Sequence, residues 1–160
     1  MKKTLMLSAV LLALAAMTSC GNKNDYKELI VGKWEVKTSY HWYHDLTDES
    51  LSSEATYTLP DTNYIGYDSA EFHADGTMQW HMSDRYVSEG MFTDPYRNFD
   101  WLINGDSLFV YIGTIENGSK YAIKALDNKT LIIEEYTNNE HPEYSHHHWE
   151  QIHRYTLNRQ

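Results

Sequence analysis

Tight-turn sequences in the second half of the chain constrain the fold more than any other feature. Asp75-Gly76, Asn104-Gly105 and Asn117-Gly118 each separate two runs in which apolar and polar residues alternate, and Asp127-Asn128-Lys129 separates a further pair. Asn, Asp and Gly tolerate the positive φ that the short turns of β-hairpins require. The spacing therefore predicts a series of antiparallel hairpins.

The same period of two begins earlier, in the run from Trp34 to Trp42, where Lys, Glu, Ser and His fill the alternate positions. A strand with one buried and one wet face shows this alternation. The residues before it, 25–31, predict a helical turn or two, and the Asp-, Ser- and Thr-rich stretch 45–68 predicts a long connection with a short strand near 56–59. Further strands are predicted over 69–74, 77–83, 86–92, 98–103, 107–114, 119–125, 130–137 and 145–157.

Eight or nine short antiparallel strands with almost no helix would leave exposed sheet edges, and closure into a barrel removes them. We therefore predict an all-β fold, an antiparallel up-and-down barrel of about eight strands preceded by a short helical turn; a two-sheet sandwich is the alternative. An eight-strand barrel is about wide enough to be filled by side chains or to hold one small ligand.

The first 19 residues do not continue this pattern. Lys2 and Lys3 precede an apolar run over 5–16, and small residues then lead to Cys20, the only cysteine of the chain. This is the layout of a secretory signal, and the apolar run is too short to span a bilayer comfortably. We predict that residues 1–19 are a cleaved signal peptide, 20–24 a polar tether and 25–160 one domain.

The sequence "MTSC" resembles the lipobox of bacterial lipoproteins, in which small residues precede a cysteine that is lipidated and becomes the new N-terminus. The resemblance implies that Cys20 carries several acyl chains, palmitate among them, which together hold a protein at a membrane more firmly than one chain does. Gly21 does not resemble an inner-membrane retention signal. The implied location is the cell envelope, where the protein is anchored in the outer membrane and faces either the periplasm or the exterior.

The sequence "GKW" after the helical turn resembles the Gly-x-Trp start of lipocalins, and "AEFHADGTM", "WLINGDSLFVYI" and "YAIKALDNKTLIIEEY" resemble the lipocalin-like domains of bacterial lipoproteins. The resemblance implies that Gly32 and Trp34 lie at the closed base of the barrel. It also implies that an Arg of the last strand packs over the indole, a favourable cation–π arrangement. Arg154 is the first match for that Arg, and Arg159 is the second.

Composition excludes several function classes. The formal net charge of −10 argues against nucleic acid, which needs clustered Lys and Arg, and against binding of anionic lipid headgroups by the protein surface. The sequence contains no nucleophile elbow, phosphate-binding glycine loop, zinc-protease motif or dinucleotide fingerprint. We expect no enzymatic activity and no cofactor.

Aromatic residues are the first candidates for a ligand site, because Tyr and Trp combine an apolar body with a polar tip. Tyr40, Trp42, Trp80 and Trp101 are predicted to face inward with Trp34. Two functions remain open on this basis. One is the binding of a small apolar or amphipathic ligand in the barrel, and the other is a filled barrel that serves as an accessory subunit of an outer-membrane assembly.

Histidines are the second candidates. His146 and His148 share a strand face and lie ~7 Å apart, close enough for two imidazoles to hold one metal ion. Pairing of the first and last strands would bring His41 or His44 towards this cluster. A solvated polar run at a loop-to-strand junction explains the same residues without a metal, and both interpretations remain open.

Overall fold

The computed structural model describes residues 26–88, 94–138 and 148–160. Within them the chain forms two short helices, α1 (Tyr26–Ile30) and α2 (Asp84–Ser88), two single-turn 3₁₀ helices (Glu49–Leu51 and Ile115–Asn117) and nine strands. The strands are β1 (Gly32–Asp45), β2 (Ser53–Thr58), β3 (Tyr67–Phe72), β4 (Thr77–Met82), β5 (Tyr96–Asn104), β6 (Ser107–Tyr111), β7 (Ser119–Leu126), β8 (Thr130–Asn138) and β9 (Trp149–Arg159).

The sheet closes on itself through β1. One edge of β1 pairs with β9 over almost its whole length, and the other edge pairs first with β3 and then with β2. The remaining strands pair in sequence order from β3 to β9, all antiparallel. Because β2 and β3 lie end to end along one edge of β1, nine strands make a ring of eight. The predicted all-β up-and-down barrel with a short N-terminal helix is therefore confirmed.

Residues 59–66 leave the barrel wall between β2 and β3. The amide of Leu59 still donates to Lys37 O at 2.9 Å, and Ser83 holds the far end of the segment by donating its amide to Gly66 O at 2.8 Å. Tyr64, at the centre of the segment, is almost fully buried. The segment thus places a tyrosine in the interior where the wall is interrupted.

The predicted strand 86–92 is wrong in its first half, because α2 occupies 84–88. An acidic residue, Asp84, stands in the first turn, where the helix dipole favours it, and the amide of Val87 donates to Ser83 O. Local helix signals therefore outweighed a short period-two pattern. The rest of that predicted strand, from residue 89 on, lies in 89–93, outside the described residues.

The base of the barrel is closed by α1 and Trp34. The indole Nε1 of Trp34 donates to Ile30 O at 2.7 Å, and the guanidinium of Arg159 lies over the indole ring, 4.4 Å from its centre. Arg159 also donates to Val31 O at 2.8 Å and to Leu29 O. One arginine therefore joins the last strand, the indole and the end of the first helix.

Arg154 does not have the barrel-closing role that we predicted for it. In the β1–β9 register Trp34 faces Arg159, whereas Arg154 faces Tyr40 and is exposed. The two arginines are five positions apart in the sequence, and an odd offset along a strand places side chains on opposite faces. The second match, Arg159, is the correct one.

A β-bulge in β1 reverses the alternation of its side chains. The β1–β9 register shifts between Val36 and Thr38, so one extra residue, Lys37, opposes the partner strand. Trp34 and Val36 face inward before the bulge, and every second residue from Ser39 faces inward after it. The prediction that Tyr40 and Trp42 face inward is therefore wrong: both lie on the outer face.

The lower half of the interior is filled. Trp80 and Trp101 are buried inside the barrel as predicted, and the indole Nε1 of Trp101 donates to Thr77 O at 2.9 Å. The core also contains Val36, Phe72, Met78, Leu108, Leu131, Ile133 and Leu157. None of the helices in the described ranges is long and apolar enough to cross a bilayer.

Candidate functional site

Polar side chains replace the apolar core in the upper half of the barrel, on the side away from α1. The strand registers align Tyr121, Glu135, His153 and His41 as neighbours on β7, β8, β9 and β1. Directly paired residues of antiparallel strands share a face, and Tyr121 is buried in the core, so this row faces inward. The row joins three titratable side-chain types across four adjacent strands.

The two histidines of the row are in contact. Their ring centres are 4.4 Å apart in an edge-to-face arrangement. Pairing of the first and last strands thus brings His41 to the C-terminal strand as predicted, where its neighbour is His153. The side-chain amide nitrogen of Gln151, Nε2, lies 2.6 Å from His153 Nε2.

Burial keeps both imidazoles neutral. It lowers the pKa of His153 to about 4, with the neighbouring His41 as a second cause, and it also lowers the pKa of His41. His41 Nε2 is buried and has no hydrogen-bond partner within the described part of the chain. Buried polar atoms are nearly always paired, so this nitrogen marks a place where a polar group fits.

His41 and His153 line a cavity of about 170 Å³. A cavity of roughly this size can hold one benzene molecule. The other lining residues supply hydroxyl and amide groups around an aromatic surface, and they are Ser39, Tyr57, Asn63, Tyr64, Ile65 and Tyr155. We refer to this space as the histidine cavity. It suits a single ring that carries a hydrogen-bonding group.

A second cavity of about 150 Å³ lies on the β5–β7 side of the interior. Ser119 and four other residues line it together with five aromatic residues, Tyr67, Trp80, Phe99, Tyr111 and Tyr121. We refer to it as the aromatic cavity. The rings of Tyr67 and Trp80 stack at 4.6 Å, and Trp80 lies 5.9 Å from the ring of Tyr155. Because Tyr155 lines the histidine cavity, these rings form the partition between the two spaces.

Glu135 is an inward-facing carboxylate beside the wall of the aromatic cavity, because it pairs across β7 and β8 with Tyr121, which lines that cavity. Burial raises the pKa of Glu135, because the ionised form loses hydration, and the Ser119 hydroxyl opposes this shift. Its neighbour Glu134 faces outward, where it pairs with Lys124 at 2.8 Å and with Arg154.

A groove that is open to solvent lies along residues 59–62, beside the barrel wall. It measures about 830 Å³. Its lining includes Glu35, Leu59, Asp61, Asp68 and Asp84. Burial raises the pKa of Asp68, His81 opposes the shift, and the carboxylates of Asp84 and Glu35 add to it. A ligand there would be only partly enclosed.

The remaining predicted site residues do not join the row. Trp34 and Trp101 lie in the filled lower half, and Cys20 and His146 lie outside the described residues. His148 is exposed, and its backbone amide donates to Thr47 Oγ1 at 3.0 Å. Within 26–88, 94–138 and 148–160, no group of three or more His, Asp, Glu or Cys side chains is placed to hold a metal ion.

Two solved structures resemble the fold. The bovine lipocalin allergen Bos d 2 matches with a TM-score of 0.41 and 11% sequence identity, over 82% of this chain and 73% of that chain. A lipocalin-like protein from Bacteroides uniformis matches with a TM-score of 0.34 and 12% identity, over 78% of this chain and 96% of that chain. No family model and no curated protein sequence matches this chain. Because both TM-scores are below 0.5, the assignment of a closed barrel rests on the strand pairing described above.

Proposed function

We propose that the protein binds a small amphipathic molecule, a single ring with a hydroxyl group, in the histidine cavity. The observation that carries this proposal is the buried, unpartnered Nε2 of His41 in the wall of a cavity of about 170 Å³. A ligand hydroxyl would pair with this nitrogen and remove the cost of leaving it unsatisfied, about 1–3 kcal/mol.

The rest of the cavity supports the same ligand chemistry. Tyr57 and Tyr64, with ring centres 5.6 Å apart, offer apolar faces, and the neutral imidazole of His153 adds no charge. Aromatic pairs prefer offset or edge-to-face contacts, which a third ring can join. A purely aliphatic ligand would leave the polar groups of the wall unpaired.

Calorimetric titration with phenol and toluene tests this proposal. The two probes have similar size, but only phenol offers a hydroxyl group. We expect phenol to bind about tenfold more tightly than toluene, as one satisfied hydrogen bond implies. His41→Leu should abolish that preference, and His148→Leu, at an exposed histidine, should leave it unchanged. Equal affinity of the unmodified protein for the two probes would refute the role of His41.

We also propose that Cys20 anchors the protein in the outer membrane. The motif "MTSC" and the short apolar run before it support this anchor. Radiolabelled palmitate should enter the wild-type protein and not Cys20→Ala, and membrane fractionation should find the variant in the soluble fraction. Labelling of both proteins to the same extent would exclude Cys20 as the acylated residue.

An accessory role in an outer-membrane assembly is the second candidate. Exposed aliphatic side chains in the connections at the open end favour it: Leu46, Leu51 and Ile112 are 57%, 51% and 66% exposed. If a membrane protein co-purifies with the wild type and not with a Leu46→Ser, Leu51→Ser variant, while neither phenol nor toluene gives heat, this role replaces ligand binding.

A further inference from the structure

We infer that the aromatic cavity binds a small organic cation, a trimethylammonium or similar alkylammonium group, with the Glu135 carboxylate as its counter-charge. This inference rests on the proposal that the upper barrel binds ligands, and it adds that the ligand of the aromatic cavity is positively charged.

The first argument is the composition of the cavity wall. Four aromatic residues on inward positions, Tyr67, Trp80, Phe99 and Tyr121, line a space of only about 150 Å³, and Tyr111, which has outward parity on β6, borders it. The face of an aromatic ring is electrostatically negative, and several faces around one cation form the cage by which quaternary ammonium groups are recognised. A neutral apolar group of the same shape gains contact area there but not this attraction.

The second argument is charge balance. Glu135 is the cross-strand neighbour of Tyr121, which lines the cavity, and within the described residues no Lys or Arg forms an ion pair with it. The cations on the neighbouring strands, Lys124 and Arg154, lie on the outer face with Glu134. The interior near Glu135 therefore has one carboxylate and no permanent positive charge.

Other groups that face Glu135 do not supply that charge. Its cross-strand neighbour His153 is neutral above about pH 4, and its other neighbour, Tyr121, has a pKa raised by burial and by the Glu135 charge itself. Arg97 has the inward parity of β5 opposite Trp80, but it is exposed at the mouth of the barrel. A ligand cation is the remaining source of compensation.

Linkage gives the direction of the pH dependence. Burial raises the pKa of Glu135 in the free protein, and a bound cation favours the ionised carboxylate and so lowers that pKa. Binding should release protons and weaken as the pH falls through the pKa of Glu135 in the complex. Below about pH 4, protonation of His153 adds repulsion.

Calorimetry with choline and its uncharged isostere 3,3-dimethylbutan-1-ol tests the inference on the full chain. We expect choline to bind about tenfold more tightly or better, the preference that a desolvated cation–π cage and one carboxylate imply. Glu135→Gln should remove the preference for choline while phenol still binds. Glu134→Gln, the adjacent carboxylate on the outer face, is the matched control and should keep it. Glycerophosphocholine titrated in parallel distinguishes a lipid headgroup from a free cation.

Two results would overturn the inference. One is equal affinity for choline and the neutral isostere, and the other is unchanged choline binding by Glu135→Gln. If phenol still binds in either case, the proposed function stands and only the assignment of a cation fails. If choline, the isostere and phenol all fail to bind, both are wrong.

Discussion

Replacement of Arg159 by Met tests which arginine closes the barrel, because Met keeps an apolar stem and removes the guanidinium. The change removes two charge-assisted hydrogen bonds, to Val31 O and Leu29 O, and the contact with Trp34 at 4.4 Å. Hydrogen bonds to charged groups contribute ~1.5–3 kcal/mol each and a partly buried cation–π contact ~1 kcal/mol. Arg159 Nε is itself buried without a partner in the described residues, which offsets part of this sum. We expect a net loss of about 3 kcal/mol in the free energy of unfolding.

Arg154→Met is the matched control. The Arg154 side chain is 45% exposed and pairs with Glu134, which keeps Lys124 as a second partner. Exposed ion pairs contribute about 0–1 kcal/mol. Urea unfolding followed by tryptophan fluorescence measures both effects. At a slope of roughly 2 kcal/mol per molar urea, Arg159→Met should lower the urea midpoint by about 1.5 M. Arg154→Met should lower it by less than about 0.5 M. Equal shifts, or a larger shift for Arg154→Met, would refute the assignment of Arg159.

Three further predictions concern the same fold. Gly32→Ala should destabilise the protein by about 1–3 kcal/mol, because Gly32 has φ of 132° and an added Cβ would lie 2.7 Å from Arg159 Nη1. A urea midpoint equal to that of the wild type would contradict this prediction. The free energy of unfolding should fall as the pH drops from about 6.5 to 4, by at most ~1.4 kcal/mol per pH unit, because His153 binds its proton more readily in the unfolded chain. His153→Leu should flatten this pH dependence, and an unchanged slope in that variant would contradict the prediction. Trp80→Ala should lower the free energy of unfolding by about 3–5 kcal/mol, and Trp42→Ala should lower it by less than about 1 kcal/mol. Comparable decreases for the two variants would show that Trp42 is part of the core.

Turn chemistry and alternation made most of the fold predictable. Asp75-Gly76 and Asn104-Gly105 make tight turns with positive φ at glycine and so fix the β3–β4 and β5–β6 registers, and alternation fixes which side chains are buried. The predicted tight turn at Asn117-Gly118 is wrong, because a 3₁₀ helix over Ile115–Asn117 makes that connection and Gly118 has φ of −104°. The barrel base was predictable in outline, since Gly32 and Trp34 lie where we expected. The choice between Arg154 and Arg159 was not, because it depends on the pairing of strands more than 100 residues apart.

The candidate site was only partly predictable, and one residue explains why. The bulge at Lys37 reverses the alternation of β1 and so exchanges Tyr40 and Trp42 for His41 on the inner face. A bulge of this kind leaves no clear mark in the sequence when both faces of the strand contain aromatic and polar residues. Tyr64 was missed for a different reason, since it lies in a loop whose burial depends on the gap in the wall.

The most direct measurement of ligand binding in the upper barrel is an NMR titration of histidine side-chain nitrogens with phenol. Our account predicts that the Nε2 resonance of His41 shifts in a saturable way, that His153 shifts with it, and that exposed His148 does not. If His41 is unchanged while backbone amide spectra of the same samples show saturable shifts confined to the outer groove, at Leu59 and Asp68, the ligand lies outside the barrel and the account is contradicted.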